Sequence, residues 1–500
     1  MTAASPRGTN TPALHGAPQP GPASRDNGGM TPPDGTSDAP LRVAVVGSGP
    51  AGFYAAEHLL TARRHSVRVD MFERLATPWG LVRSGVAPDH PKLKSVSRIY
   101  ERTAGQAGFR LFANVELGAD LTHEDLAEHY HAIVYAVGAQ TDRRSGIPGE
   151  DLPGSWAATD FVGWYNGHPD YRDLEFDLSC ERAVVVGNGN VAMDVARMLC
   201  LTHDELAVTD VGDHALEVLA GHRITEIVVL GRRGPEQAAF TTPELRELGE
   251  LSDADVIVDP AELEIDPECR EEAPSSTAVR NLEVLRDYAG RTPEGRRRRI
   301  VLRFLTSPVE IHGTNRVEAV TVVRNRLVRT AEGTLRARAT DQTETLGAGL
   351  VMRAIGYTGV PLPGVPFDTG RGVIPNHGGR VLAEGEAVPG VYVTGWIKRG
   401  PSGVIGTNKK CAQETVDALL EDADAGLLPE PRSDDAERFE AGLRARKPQL
   451  LTYAGWEAID RHERALGEAQ GRPRVKLTRL EQQLQAAAGA GEGSAPTGAR

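Results

Sequence analysis

Leu41-Arg-Val-Ala-Val-Val-Gly-Ser-Gly-Pro-Ala-Gly52 is an apolar, β-branched run that stops on three glycines spaced G-x-G-x-x-G. The run has the length of a buried strand, and a helical pattern follows through Ala55, Leu59 and Leu60. Strand, tight turn and helix in this order form a dinucleotide site. Gly47 makes the turn, Gly49 lets backbone approach a pyrophosphate, and Gly52 lets the helix pack on the strand. The phosphate then lies on the helix N-terminus, where free N–H groups and the dipole favour an anion. A second apolar run, Val67-Arg-Val-Asp-Met-Phe72, ends at Glu73, where a carboxylate can accept hydrogen bonds from a ribose diol.

The same grammar recurs downstream. Ala183-Val-Val-Val186 leads into Gly187-Asn-Gly189-Asn-Val-Ala192, a helical pattern through Val195 and Leu199, and the strand Ile227-Val-Val-Leu230. Here Arg232-Arg233 stand where an NAD site carries its acid. Two guanidiniums there can take an adenosine 2'-phosphate in fork geometry, so the expected nucleotide is NADPH. The segment from Cys200 to His222 inserts extra helical sequence before that strand, which lengthens the usual motif spacing. Further on, Arg299-Ile-Val-Leu-Arg-Phe304 and Val317 to Val323 read as an antiparallel addition to the second unit.

Composition bounds the remaining possibilities. At 500 residues with 40% hydrophobic positions the chain is long enough for several cores. A formal charge of -13 opposes broad nucleic-acid binding, which needs a basic face. No apolar run reaches the roughly 18–20 residues of a membrane-spanning helix, and the start lacks a secretory signal pattern. Cys180, Cys200, Cys269 and Cys411 form no C-x-x-C pair, so they read as reduced buried thiols. Residues 1–40, dense in Pro, Gly, Ser and Thr, are expected to be a disordered extension without a cysteine to hold a cluster. Their arginines are matched by Asp26, Asp34 and Asp38, unlike an organelle presequence, and a cytoplasmic location is expected.

With both turns placed, the connecting segments become recognisable. Thr77-Pro-Trp-Gly-Leu-Val-Arg-Ser-Gly-Val-Ala-Pro-Asp-His-Pro-Lys92, Gly231-Arg-Arg-Gly-Pro235, Ala239-Phe-Thr-Thr-Pro-Glu-Leu-Arg-Glu247 and Gly395-Trp-Ile-Lys-Arg-Gly-Pro-Ser-Gly-Val-Ile405 occur in order. Together they resemble the adrenodoxin reductase type of ferredoxin-NADP reductase, in its actinobacterial branch, over residues 41 to 480. The resemblance implies an α/β fold of two dinucleotide-binding, Rossmann-like domains, with the NADP domain inserted into the FAD domain. The expected boundaries are 41–141 and 356–485 for the FAD domain, 142–355 for the NADP domain, and 486–500 for a flexible tail. The implied reaction passes hydride from NADPH to FAD and then single electrons to a separate ferredoxin-type iron-sulfur protein. A monomer is expected.

Carried over by resemblance, flavin contacts fall on Gly47, Gly49, Ala51, Gly52, Glu73, Leu81, Val115, Trp396, Gly403, Val404 and Ile405. NADP contacts fall on Arg143, Asn188, Gly189, Asn190, Val191, Arg232, Arg233, Glu244 and Gly403. Trp396 is an aromatic platform near the meeting point of the two rings, or plain core packing. Gly403 to Ile405 is expected to open a helix whose dipole could stabilise a reduced flavin. His90 and Glu247 match an ionic couple near the flavin; with Trp396 they are the candidate catalytic groups. The alternative is helix capping, since Asp89-His-Pro91 and Thr242-Pro-Glu244 both look like helix starts.

Docking of an acidic ferredoxin requires local cations, for which Lys92, Lys94, Arg246, Lys398, Arg399, Lys409 and Lys410 are candidates. The Arg296 to Arg299 run reads better as a solvated face. A disulfide reductase with the same nucleotide folds would need a redox cysteine pair, which the spacing denies. A flavin monooxygenase, a diaphorase or a nucleotide-sensing protein without turnover are the competing readings, since a fold alone does not fix function.

Overall fold

The computed structural model describes residues 39–265, 274–433 and 435–488, and Pro40 onward forms one compact unit. Cys269 and almost all of the expected N-terminal extension and tail lie outside the described residues. The helix Leu480–Ala488 carries regular structure three residues into the stretch expected to be a tail; its run of alanines favours helix.

Two sheets organise the molecule, one mixed with a parallel centre and one wholly parallel. The first has seven strands, ordered Asn376–His377, Arg380–Ala383, Glu386–Val393, Ala132–Tyr135, Leu41–Val46, Val67–Glu73 and Phe109–Ala113. Its parallel centre pairs Leu41–Val46 with Val67–Glu73 on one side and Ala132–Tyr135 on the other. Helices cover both faces, which is why Val43 to Val46 are apolar without alternation and buried throughout. The helix Pro50–Leu60 covers one face through Ala55, Ala56 and Leu59, packed with Ala412, Val416 and Leu419 of the helix Thr407–Asp424.

The second sheet has six strands, ordered Ser155–Ala157, Leu350–Arg353, Arg182–Val186, Glu226–Leu230, Arg298–Arg303 and Ala254–Val258, all parallel. A three-stranded antiparallel sheet, Thr306–His312, Ala319–Arg329 and Leu335–Gly347, packs on it through Ile311, Val320 and Val322 against Val184 and Val228. Only part of the expected antiparallel addition is therefore found. Residues 299–303 belong to a central parallel strand, because the helix Ser276–Gly290 supplies the crossover that a parallel neighbour needs.

The first sheet draws strands from both ends of the chain and the second from its middle. The two crossings lie side by side. Thr141–Asp142 pairs antiparallel with Tyr357–Thr358, and Arg143 N donates to Gly356 O at 2.9 Å. Chain leaves the first sheet and returns to it through this short two-stranded connector.

A second link comes from the C-terminal segment. Arg472 donates to Thr209 O and Asp213, and Lys476 donates to Asn166 Oδ1 at 3.0 Å and Arg83 O at 3.2 Å. Asp210 lies between Lys94 (2.5 Å) and Lys476 (3.3 Å). Burial alone would raise this carboxyl, but the two ammonium groups hold it at about 2.

Candidate functional site

At the first glycine turn, two glycines are required by the backbone itself. Gly47 has φ +104°, and a Cβ there would stand 2.6 Å from Ala136 O; a Cβ on Gly52 would stand 2.0 Å from Gly47 O. Gly49 differs: its φ is -76° and nothing lies within 4 Å of its Cβ position. The fold does not need that glycine, whereas a phosphate approaching the helix start does. Glu73 closes the turn. Its Oε2 accepts from Ser48 N (3.1 Å) and Ser48 Oγ (2.5 Å), and its Oε1 from Leu75 N (2.9 Å). A carboxylate has roughly four acceptor positions, so this anchoring leaves capacity for a ribose hydroxyl.

Other expected flavin contacts gather round that turn. Val115 N donates to Glu73 O at 2.9 Å. Leu81 follows Gly80, whose Cβ position lies 3.0 Å from Gly49 Cα, and a Cβ on Gly395 would stand 2.6 Å from Ala51 Cβ. Trp396 is partly exposed, donates from Nε1 to Ser402 O at 3.2 Å, and packs on Tyr357 with ring centroids 5.3 Å apart. Ile405 packs against the core group that contains Ala51. Gly403 and Val404 lie on the exposed approach to it, and they do not open a helix as expected. Gly403 has φ +82°, outside helical space, and the helix begins at Thr407 behind Gly406.

The second turn has the complementary charge. Gly187 takes φ +121°, with a Cβ position 2.3 Å from Ala354 O, while Gly189 has nothing nearer than 3.9 Å. Asn188 O accepts from Ala239 N, and Asn190 Oδ1 accepts from Thr241 N at 2.8 Å. Val191 packs into the core beneath. Gly231 touches the Asn188 side chain, which sets Arg232 and Arg233 beside the turn. Neither guanidinium has a side-chain partner among the described residues. Burial and the neighbouring Arg232 charge hold Arg233 below its ordinary pKa. Two adjacent cations without a carboxylate fit a dianionic 2'-phosphate. Arg143 is exposed on the connector, where its N donates to Gly356 O.

Between the two turns lies a cluster that joins them. His90 caps the short helix Pro91–Lys94 with its backbone, but its side chain makes no cap bond. Instead His90 Nε2 lies 2.7 Å from Glu247 Oε2, and Nδ1 lies 4.0 Å from Glu244 Oε1. Glu244 and Glu247 stand on the helix Thr242–Leu248, which starts next to Asn190's contact at Thr241. Arg197 occupies the centre. It meets Asp89 at 2.6 Å, Asp194 at 2.7 Å, Glu244 at 3.2 Å and Glu247 at 3.4 Å. Burial and the nearby Asp194 push the Glu244 carboxyl up to about 7, although Arg197 and His90 oppose them. His90, Glu244 and Glu247 bring donor atoms within 4.8 Å of one another. Arg197 already provides the positive charge that a metal ion would bring.

Sequence reasoning missed Asp89, Asp194, Arg197 and Tyr357 as members of the site. A signal for two of them existed: Asp194 and Arg197 sit three apart on the helix that follows a glycine turn, where every other position after Asn190 is apolar.

The docking candidates divide sharply. Lys398 is buried and paired with Glu414, and the partly buried Lys94 is paired with Asp210, so neither charge is free for a partner. Arg399 donates to Ser402 O and Asn408. Of the arginine run, Arg296 is tied to Glu294, Arg298 to Asp253 and Arg299 to Glu226, which leaves Arg297 exposed without an ion pair among the described residues. Lys92, Arg246, Lys409 and Lys410 are exposed. Cys180, Cys200 and Cys411 are free, and burial pushes the Cys200 thiol up to about 12. No helix among the described residues is long and apolar enough to cross a membrane.

Comparison with known proteins places these features in context. Residues 41–229 match the pyridine nucleotide-disulphide oxidoreductase family. The chain is similar to NADPH-ferredoxin reductase FprA of Mycobacterium leprae, 54% identical over 88% of this chain and 97% of that protein. It is also similar to the mitochondrial NADPH:adrenodoxin oxidoreductase of Arabidopsis thaliana, 40% identical over 90% of this chain and 96% of that one. Among solved structures, Mycobacterium tuberculosis FprA in complex with NADPH superposes with a TM-score of 0.86 at 52% identity, covering 90% of this chain and 100% of that one.

Proposed function

Since the chain belongs to the adrenodoxin reductase type of NADPH-ferredoxin reductases, we propose how its own residues divide that reaction among them. The protein is an NADPH-dependent flavoenzyme that passes electrons to a ferredoxin-type iron-sulfur protein. Bound FAD supplies the conversion from a two-electron donor to a one-electron acceptor. FAD is assigned to the turn Gly47 to Gly52, with Glu73 on its ribose and Leu81, Val115, Trp396 and Gly403 to Ile405 around its ring. NADPH is assigned to Asn188 to Val191, with Arg232 and Arg233 on its 2'-phosphate and Arg143 and Glu244 as outer contacts. The FAD domain comprises 41–141 and 356–485, and the NADP domain 142–355.

The observation that carries the assignment is the opposed charge of the two turns. An anchored carboxylate ends the second strand of one unit, and two uncompensated guanidiniums end that of the other. Residues then act by position. Trp396 screens the ring edge from water, while His90 and Glu247 hold a proton at Nε2 and Oε2 where the two units meet. In stopped flow, NADPH should bleach the yellow holoenzyme far faster than NADH, and ferredoxin should then accelerate reoxidation. Equal rates with the two nucleotides would overturn the assignment of the second turn.

The exposed Lys92, Arg246, Lys409 and Lys410 are proposed as the ferredoxin-facing cations. A cytoplasmic monomer accords with the free thiols and the NADPH requirement; light scattering and cell fractionation test the two parts separately.

A further inference from the structure

We propose that Arg197 is a positioning residue for hydride transfer, fixing the separation of the two nucleotide-binding units at His90 by holding acids of both at once. The proposal rests on the FAD and NADPH assignments above.

Arg197 is 2% exposed, and its guanidinium uses each of its edges differently. Nε and Nη2 form a fork with Asp89 at 2.6 and 3.2 Å, and Asp89 belongs to the loop that carries His90. Nη1 reaches Glu244 at 3.2 Å, and Glu247 at 3.4 Å, on the opposite unit. Nη2 also bonds Asp194 at 2.7 Å, one turn back on Arg197's own helix. A stabilising ion pair would need one acid, whereas this residue holds four on three separate elements.

Arg197 is also rigidly linked to the phosphate end of its unit. It lies on the helix Asn190–Met198, whose first residue belongs to the second glycine turn. Seven residues of helix place the Arg197 Cα about 10 Å along the axis from that turn. Asn190 fixes Thr241 at one end of this helix, and Arg197 fixes Glu244 and Glu247 at the other. The helix Thr242–Leu248 is therefore held at both ends by a single neighbouring helix. A lysine could supply the charge at one point but not the fork.

The test uses holoenzyme carrying Arg197→Met, Arg197→Lys, Asp89→Asn, and the Arg197→Met/Asp89→Asn pair. Single-turnover flavin reduction by NADPH is read beside NADP+ affinity by calorimetry, the flavin absorption change on NADP+ binding, and amide exchange of residues 85–95. Arg197→Met should slow reduction at least tenfold while the NADP+ Kd stays within threefold. The absorption change should shrink and exchange of residues 85–95 should rise. Asp89→Asn should reproduce the slowing, the pair should slow reduction no further, and Arg197→Lys should fall between.

Reduction within twofold of wild type, accompanied only by a lower Tm, would make Arg197 a structural ion pair and overturn the proposal. Should Arg197→Met not retain flavin, Asp89→Asn decides, because it removes only the edge that spans the two units. A wild type that NADPH does not bleach would instead defeat the functional assignment itself.

Discussion

At Gly49 and at Arg232-Arg233, the requirements of fold and ligand separate most cleanly. Gly47 and Gly52 are forced by backbone collisions, but a Cβ on Gly49 would meet nothing in the protein. Gly49→Ala should therefore leave the apoprotein melting close to wild type and still weaken FAD retention, measured as flavin released on gel filtration. Full retention would remove the pyrophosphate from this position. Arg232→Ala should raise KM for NADPH by roughly 10- to 100-fold, the worth of a lost charge-assisted bond, with little effect on NADH. Both features were legible in the sequence because glycine spacing and strand-end charge are local patterns. Arg197 was not legible in this way: its partners Asp89, Glu244 and Glu247 are distant in sequence, and only the fold brings them together.

Among the elements, the helix Thr242–Leu248 couples the nucleotide turn to the proton-bearing groups. Proline near its start was readable from the sequence and left a cap as the alternative to the His90–Glu247 couple that the resemblance implied; packing sets Glu247 2.7 Å from His90, whose side chain makes no cap bond. Glu244 faces Asp89, His90, Asp194, Arg197 and Glu247, with Tyr165 and Tyr357 beyond Asp194. Its carboxyl is raised from 4.5 to about 7, so the stability it confers is fully present below 4.5 and is lost as pH rises through 7. The Tm of the holoenzyme should therefore fall by a few degrees between pH 5 and 8 from this group, and Glu244→Gln should flatten that slope. An unchanged slope in the variant would show that Glu244 is ionised throughout. The strand Arg298–Arg303 marks where local pattern fell short. Its direction depends on the helix before it, and an apolar run carries no sign of parallel or antiparallel pairing.

For the whole molecule, net charge and local charge point in opposite directions. A chain at -13 can meet an acidic ferredoxin only through local cations, for which the exposed Lys92, Arg246, Lys409 and Lys410 are the proposed group. Ferredoxin reduction should slow as ionic strength rises from about 0.01 to 0.15 M, roughly a fourfold shortening of the Debye length, whereas flavin bleaching by NADPH alone changes less. A flat salt response in the ferredoxin step would dissociate these cations from docking. Pairing of Lys94 with Asp210 and of Lys398 with Glu414 shows why composition alone overcounted the candidates: a lysine in a motif looks the same whether it meets solvent or a carboxylate.

The interleaved order of strands also governs how the protein is made. Ala132–Tyr135 pairs on one side with Leu41–Val46, but its other neighbour, Glu386–Val393, lies 250 residues further along the chain. At about 5–20 residues per second a ribosome needs roughly 12–50 s to cover that gap. Throughout that interval the nascent first sheet presents an apolar strand edge, while the intervening second sheet can complete itself. Synthesis thus favours completion of the second sheet before the first, whose waiting edge is the kind that pairs with other chains when left uncovered.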